Sequence, residues 1–162
     1  MRYRIIGAAC LFIALGLATP SSARAQNAAD ADNAMHAMDM RMRALNTSRK
    51  KLERMEYHSD HREAEAAHDI TDADVVVFSA AVKVFTVAFV ITAMKCPDDV
   101  RFAQKQFRLA VESFVATANA ELSRVDESVR KFSAPAALAE ATHIRDAIVD
   151  LRDFLKPFAA EE

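Results

Sequence analysis

The chain has 162 residues, 52% of them hydrophobic, and a net charge of −2. That length suits one domain with a real core. Such a balance gives no broad electrostatic reason to bind nucleic acid or anionic lipid.

The N-terminus reads as an export signal. Arg2 and Arg4 form a basic start, Ile5 to Ala18 is uncharged and apolar, and Pro20-Ser21-Ser22 breaks it. Ala23-Arg24-Ala25 offers small residues at the two positions a signal peptidase inspects, so cleavage is expected before Gln26. Residues 1–25 are therefore set apart as a signal peptide, and residues 26–162 as a single helical domain that works in the periplasm or outside the cell. Cleavage removes Arg2, Arg4 and Arg24 and no acid, which takes the net charge from −2 to −5. It also removes Cys10 and leaves Cys96 as the sole thiol, so no intramolecular disulfide can help the fold.

Both glycines of the chain, Gly7 and Gly16, lie in the leader. Without glycine the mature chain cannot build a P-loop, a dinucleotide-binding turn or a Gly-x-Ser-x-Gly elbow. Glycine-dependent hairpin turns are missing too. Helices are what remains.

Met35, Met38, Met42, Leu45, Leu52 and Met55 form one stripe and predict a first helix over about 28–57, weakened at Asn46-Thr47-Ser48. Residues 58–70 are polar and helix-compatible, carry no apolar face, and read as a connection that is either irregular or partly helical. Thr71 and Asp74 match a capping box that would open a second helix over about 72–95. Pro97, with Asp98 and Asp99, opens a third. Val100, Ala103, Phe107, Val111, Phe114, Ala118, Leu122, Val125, Val129 and Phe132 step by three or four and extend it over about 97–132. Leu138, Ala141, Ile144, Ile148, Leu151 and Leu155 mark a fourth over about 135–156, closed by Pro157. Short connections between four amphipathic helices predict an all-α, antiparallel up-down-up-down four-helix bundle.

Val75 to Met94 carries one charge, Lys83, and is long and apolar enough to span a membrane. Against a span, Ser79, Lys83 and Thr86 share one stripe, and lysine at mid-span is costly in lipid. A bundle also buries such a helix in its centre. Both a membrane-anchored accessory protein and a soluble bundle follow from these residues.

His58, His61, Glu65 and His68 step by three, four and three, and Glu140 and His143 lie one turn apart on the fourth helix. The 1–2 connection and the start of the fourth helix meet at one end of such a bundle. Imidazole and carboxylate there suit Zn, Cu or Ni, a divalent transition metal. Glu65-x-x-His68 and Glu140-x-x-His143 resemble half of the ligand pattern of ferritin-like di-iron bundles. That pattern needs two further inward glutamates, and the second helix has no acid beyond its first turn. Met38 and Met42 continue the core stripe rather than a copper site, and Cys96 precedes a helix N-terminus, where a thiol gains reactivity.

No nucleophile–base constellation is visible. By elimination the leading expectation is an exported, non-catalytic helical protein that binds a protein or small ligand and can oligomerise through its long faces. Periplasmic metal binding and membrane anchoring stand as alternatives.

Overall fold

The computed structural model describes residues 21–55, 60–93 and 97–159. Every regular element among them is helical: α1 (Ser21–Glu53), α2 (His61–Ala93), α3 (Pro97–Val129), α4 (Pro135–Leu155) and a closing 3₁₀ turn (Lys156–Ala159). The first three helices have 33 residues each and α4 has 21, so three rods of ~50 Å pack with one of ~32 Å. The four pack together as a bundle, with α2 most extensively against α3 and α1 against both α2 and α4.

The expected stripes supply the core. Leu45 and Leu52 from α1, Val111, Phe114 and Val125 from α3, and Ile144, Ile148 and Leu151 from α4 are wholly buried. Leu138 departs from its stripe: it is exposed, and Ala137 takes the core position one residue earlier. The buried positions of α4 thus keep the helical period from Ala137 through Leu155. Pro157 ends the α-helix as expected, but the chain continues as one 3₁₀ turn. That turn returns Phe158 to the core, with its ring 6.2 Å from Phe107 and 5.9 Å from Phe154.

The start of α2 differs most from expectation. The helix begins at His61, ten residues before the expected box, and runs through Thr71 without a break. Its cap is Asp60, whose Oδ1 accepts the N–H groups of Arg62 and Glu63 at 2.9 and 3.3 Å. Thr71 makes no cap; its hydroxyl donates to the carbonyls of Ala67 and His68 within the helix. The driving force is small and apolar. Ala66, Ala67, Ile70 and Ala73 are buried in one stripe, and alanine lets neighbouring helices approach closely.

Helix α1 is likewise continuous through Asn46-Thr47-Ser48. Thr47 donates to the Arg43 carbonyl at 2.8 Å and Arg49 to Asn46 Oδ1 at 2.6 Å, so the polar side chains are satisfied locally. Helix α1 ends at Glu53 and α3 at Val129, each a few residues short of expectation. Single turns follow: Met55 N–H bonds the Leu52 carbonyl, and Phe132 N–H bonds that of Val129, which keeps Phe132 buried.

A glutamate seventy residues away builds the α3–α4 corner. Ala134, at the N-cap of α4, has no side-chain oxygen to offer. Glu63 of α2 supplies one: its Oε1 accepts Ser133 N–H and Oγ–H at 2.6 Å each and Ala134 N–H at 3.0 Å. Nearby, Ser128 donates to Asp69 Oδ2 at 3.1 Å and Lys131 approaches the same oxygen.

Candidate functional site

The histidine and glutamate candidates divide into separate pairs. His61 Nε2 stands 3.6 Å from Glu65 Oε1, and His68 Nε2 stands 3.6 Å from Asp72 Oδ2. His143 Nδ1 lies 3.5 Å from Glu140 Oε2, while Glu140 Oε1 accepts Lys51 Nζ at 3.2 Å. Thus Glu65 serves His61 rather than His68, and Glu140 is already neutralised by a cation from α1. Among the described residues no three His, Cys, Asp or Glu side chains stand where they could hold a metal ion. The convergence of the two Glu-x-x-His segments is therefore absent there. His58, Cys96 and residues 1–20 lie outside the described residues.

The methionines of α1 divide as their spacing demands. Met38 and Met42 are buried, whereas His36 and Met40 are exposed. Met40 borders a shallow groove shared with Arg41, Ala44, Ala147 and Asp150. Arg41 closes its own charge there, with Nε 2.9 Å from Asp150 and Cζ 4.4 Å from the centre of the Phe154 ring.

Among the described residues Asp74 is the deepest charged group. It is wholly buried between α2 and α1, and its nearest cation is Arg49, with Nε 3.4 Å from Oδ2. Neither carboxylate oxygen has a hydrogen bond, because Arg49 also turns to Asn46 and Glu53. Burial pushes the Asp74 carboxyl up to about 6, with the charge of Arg49 opposing and that of Glu53 adding to it. Glu63 is the reverse case. Hydrogen bonds from the Ser133 hydroxyl, then from the N–H groups of Ser133 and Ala134, hold its carboxyl below the usual value.

The outer face of α2 is the surface feature that stands apart. Its first part is polar, with His61, Glu65, His68 and Asp72 all exposed. From residue 75 onward it turns apolar: Val75, Val76, Val82, Phe89 and Val90 are exposed, beside Ser79, Lys83 and Thr86. Helix α3, packed along α2, adds exposed Phe102 and Leu109. Of the two readings of this helix, the soluble one places it at the centre of the bundle. Instead, only 22% of its most apolar stretch is buried. Four helices of this length leave each one an outward face, and on the second half of α2 that face mixes valine and phenylalanine with Ser79, Lys83 and Thr86. Part of the signal was legible in the sequence, since the stretch is apolar. Which side would be left uncovered depends on packing.

No family model, no curated protein sequence and no solved structure matches the chain.

Proposed function

We propose that the protein is an exported, non-catalytic helical bundle that docks another protein on the outer face of α2 and the adjoining face of α3. One observation carries the reading: large apolar side chains stay in water along one side of an otherwise well-packed bundle. Scattered exposed apolar residues are ordinary, but a contiguous patch rimmed by polar groups marks an interaction surface. The leader, with its basic start, apolar run and Ala23-Arg24-Ala25, supports export.

An up-down-up-down course fits the cross-helix pairs. Lys51 meets Glu140 and Arg41 meets Asp150, so positions late in α1 lie beside positions early in α4. Asp69 meets Ser128, and Asp126 meets Arg145, which repeats the pattern for α2 with α3 and α3 with α4.

Helix α2 is also long and apolar enough to cross a membrane. To do so it would have to leave the bundle. Ile70, Val77 and Val84 would lose their core partners, and Glu63 and Asp74 would lose theirs. A protein partner covers the same apolar face without that loss.

The test is a photo-crosslinking residue placed at Val82 and, as a control, at exposed Glu127 on α3. Irradiation of cells is expected to give protein adducts from position 82 and none from 127. Adducts with lipid alone would transfer the face to the membrane reading. Equal or absent adducts at both positions would remove the docking reading.

A further inference from the structure

Helix α1 carries a charge where its core stripe calls for an apolar residue. Met38, Met42, Leu45, Arg49 and Leu52 step by four, three, four and three, and all but Arg49 are apolar and buried. The Arg49 side chain is itself only 19% exposed. Opposite it α2 places Asp74, which is wholly buried between Ala73 and Val77. One layer of the α1–α2 contact is thus an ion pair in place of apolar side chains.

That layer is poorly closed. Arg49 Nε stands 3.4 Å from Asp74 Oδ2 without a hydrogen bond, and Asp74 Oδ1 has no hydrogen bond either. Arg49 divides itself, since Nη2 donates to Asn46 Oδ1 and Nε also lies 3.6 Å from Glu53 Oε1. A buried ion pair recovers the cost of leaving water only when such bonds are made. Burial accordingly raises the Asp74 carboxyl to about 6. Arg49 and Glu53 are the α1 charges that act on it. The half-buried acids of the other two helices are matched elsewhere, Glu121 of α3 by Arg124 and Glu140 of α4 by Lys51 and His143.

Little else holds the last turns of α1 in place. From Asn46 to Glu53 only Leu52 is buried. The Lys51–Glu140 bridge has a half-exposed lysine, and such pairs add little. Segments with few buried apolar contacts open at a lower free energy than the whole fold.

We propose that residues 46–53 form a pH-gated flap, which opens from α2 on its own when Asp74 is ionised and closes when Asp74 takes up a proton. The ionised carboxylate is penalised only while it is buried, and opening returns it to water together with Arg49. Opening is therefore favoured above the pH at which the folded carboxyl titrates and suppressed below it. The flap does not depend on the docking face, because Asp74 meets α1 and lies inside the bundle.

Amide hydrogen exchange read by mass spectrometry, corrected for the intrinsic effect of pH on exchange, tests the flap in the unaltered protein. At pH 7.5, residues 46–53 are expected to exchange about tenfold or more faster than residues 111–125 of α3, with little dependence on urea, as a local opening requires. At pH 5 their protection is expected to rise about tenfold or more. Asp74→Asn, and separately Arg49→Leu combined with Asp74→Leu, should hold the closed level of protection at both pH values. Exchange of residues 46–53 that matches residues 111–125 in rate and urea dependence at pH 7.5 would show that they open only with the whole bundle, and would overturn the proposal. Protection that changes with pH in both variants as it does in the unaltered protein would overturn it equally.

Discussion

Replacing Phe114 with alanine is expected to lower stability by about 3–5 kcal/mol, the range for deleting a buried aromatic ring. Phe114 is wholly buried in the middle of α3, in the core cluster that joins all four helices. The ring is surrounded by side chains fixed on long helices, so the space it leaves closes only in part. The cost is then transfer of the lost atoms plus an unfilled cavity. Leu109, on the same helix and one turn and a half away, is exposed. Leu109→Ala should move stability by no more than ~0.5 kcal/mol in the isolated chain. Urea unfolding followed by circular dichroism measures both. Equal effects of the two substitutions would mean that α3 faces the other way.

Stability is expected to rise, not fall, as pH drops from 7.5 towards 5. The cause is Asp74. Its folded carboxyl is pushed up to about 6, above its ordinary value of 3.8, so the folded chain binds a proton more tightly than the unfolded one. The destabilisation is fully present above the folded value and is relieved as pH falls through it. The limit of the effect is about 3 kcal/mol. Asp74→Asn should therefore stabilise the protein at pH 7.5 by about 2–3 kcal/mol and flatten the profile down to pH 5. Arg49 keeps Asn46 and Glu53 as partners in that variant, so no new charge is stranded.

Glu63 acts with the opposite sign. Its carboxyl is held below 4.5, so the stability it gives the α3–α4 corner is present above that value and lost on further acidification. Chemical denaturation should place the stability maximum between about pH 4.5 and 6. A profile that rises steadily from pH 5 to 8 would contradict the assignment of Asp74 as a strained, buried acid.

The parts of the fold visible in the sequence are those set by local period. Helix α3 has a large apolar residue or alanine every three or four positions. The structure buries Val111, Phe114, Ala118, Leu122 and Val125 from that list. The first turns of α2 were obscured because the burying residues are alanines among charges. Ala66 and Ala67 are buried in the bundle, yet they leave no conspicuous stripe. Thr71 and Asp74 have the spacing of a capping box, but Asp74 is drawn to Arg49 on another helix and Asp60 caps instead. Capping chemistry at the α3–α4 corner comes from Glu63, a contact across seventy residues that no local pattern announces.

Which residues carry ligand chemistry is legible in the sequence, but which of them stand beside one another is not. The histidines drew notice for their ligand chemistry and spacing. In the folded chain His61, His68 and His143 are exposed and each pairs with the carboxylate nearest on its own helix. The apolar run of α2 was plain in the sequence as a helix needing cover. Its outward side emerges only once α1, α3 and α4 have taken the other sides.

Cysteine labelling in living cells addresses the covered face most directly. In a Cys96→Ser background, cysteine is placed singly at Val82 and at Glu127, and cells are treated with a maleimide that does not cross the inner membrane. Position 127 is expected to label readily, as an exported and uncovered site. Position 82 should resist until the protein is denatured. Equal labelling of both in native cells would show that the α2 face stands open to water and contradict the docking reading.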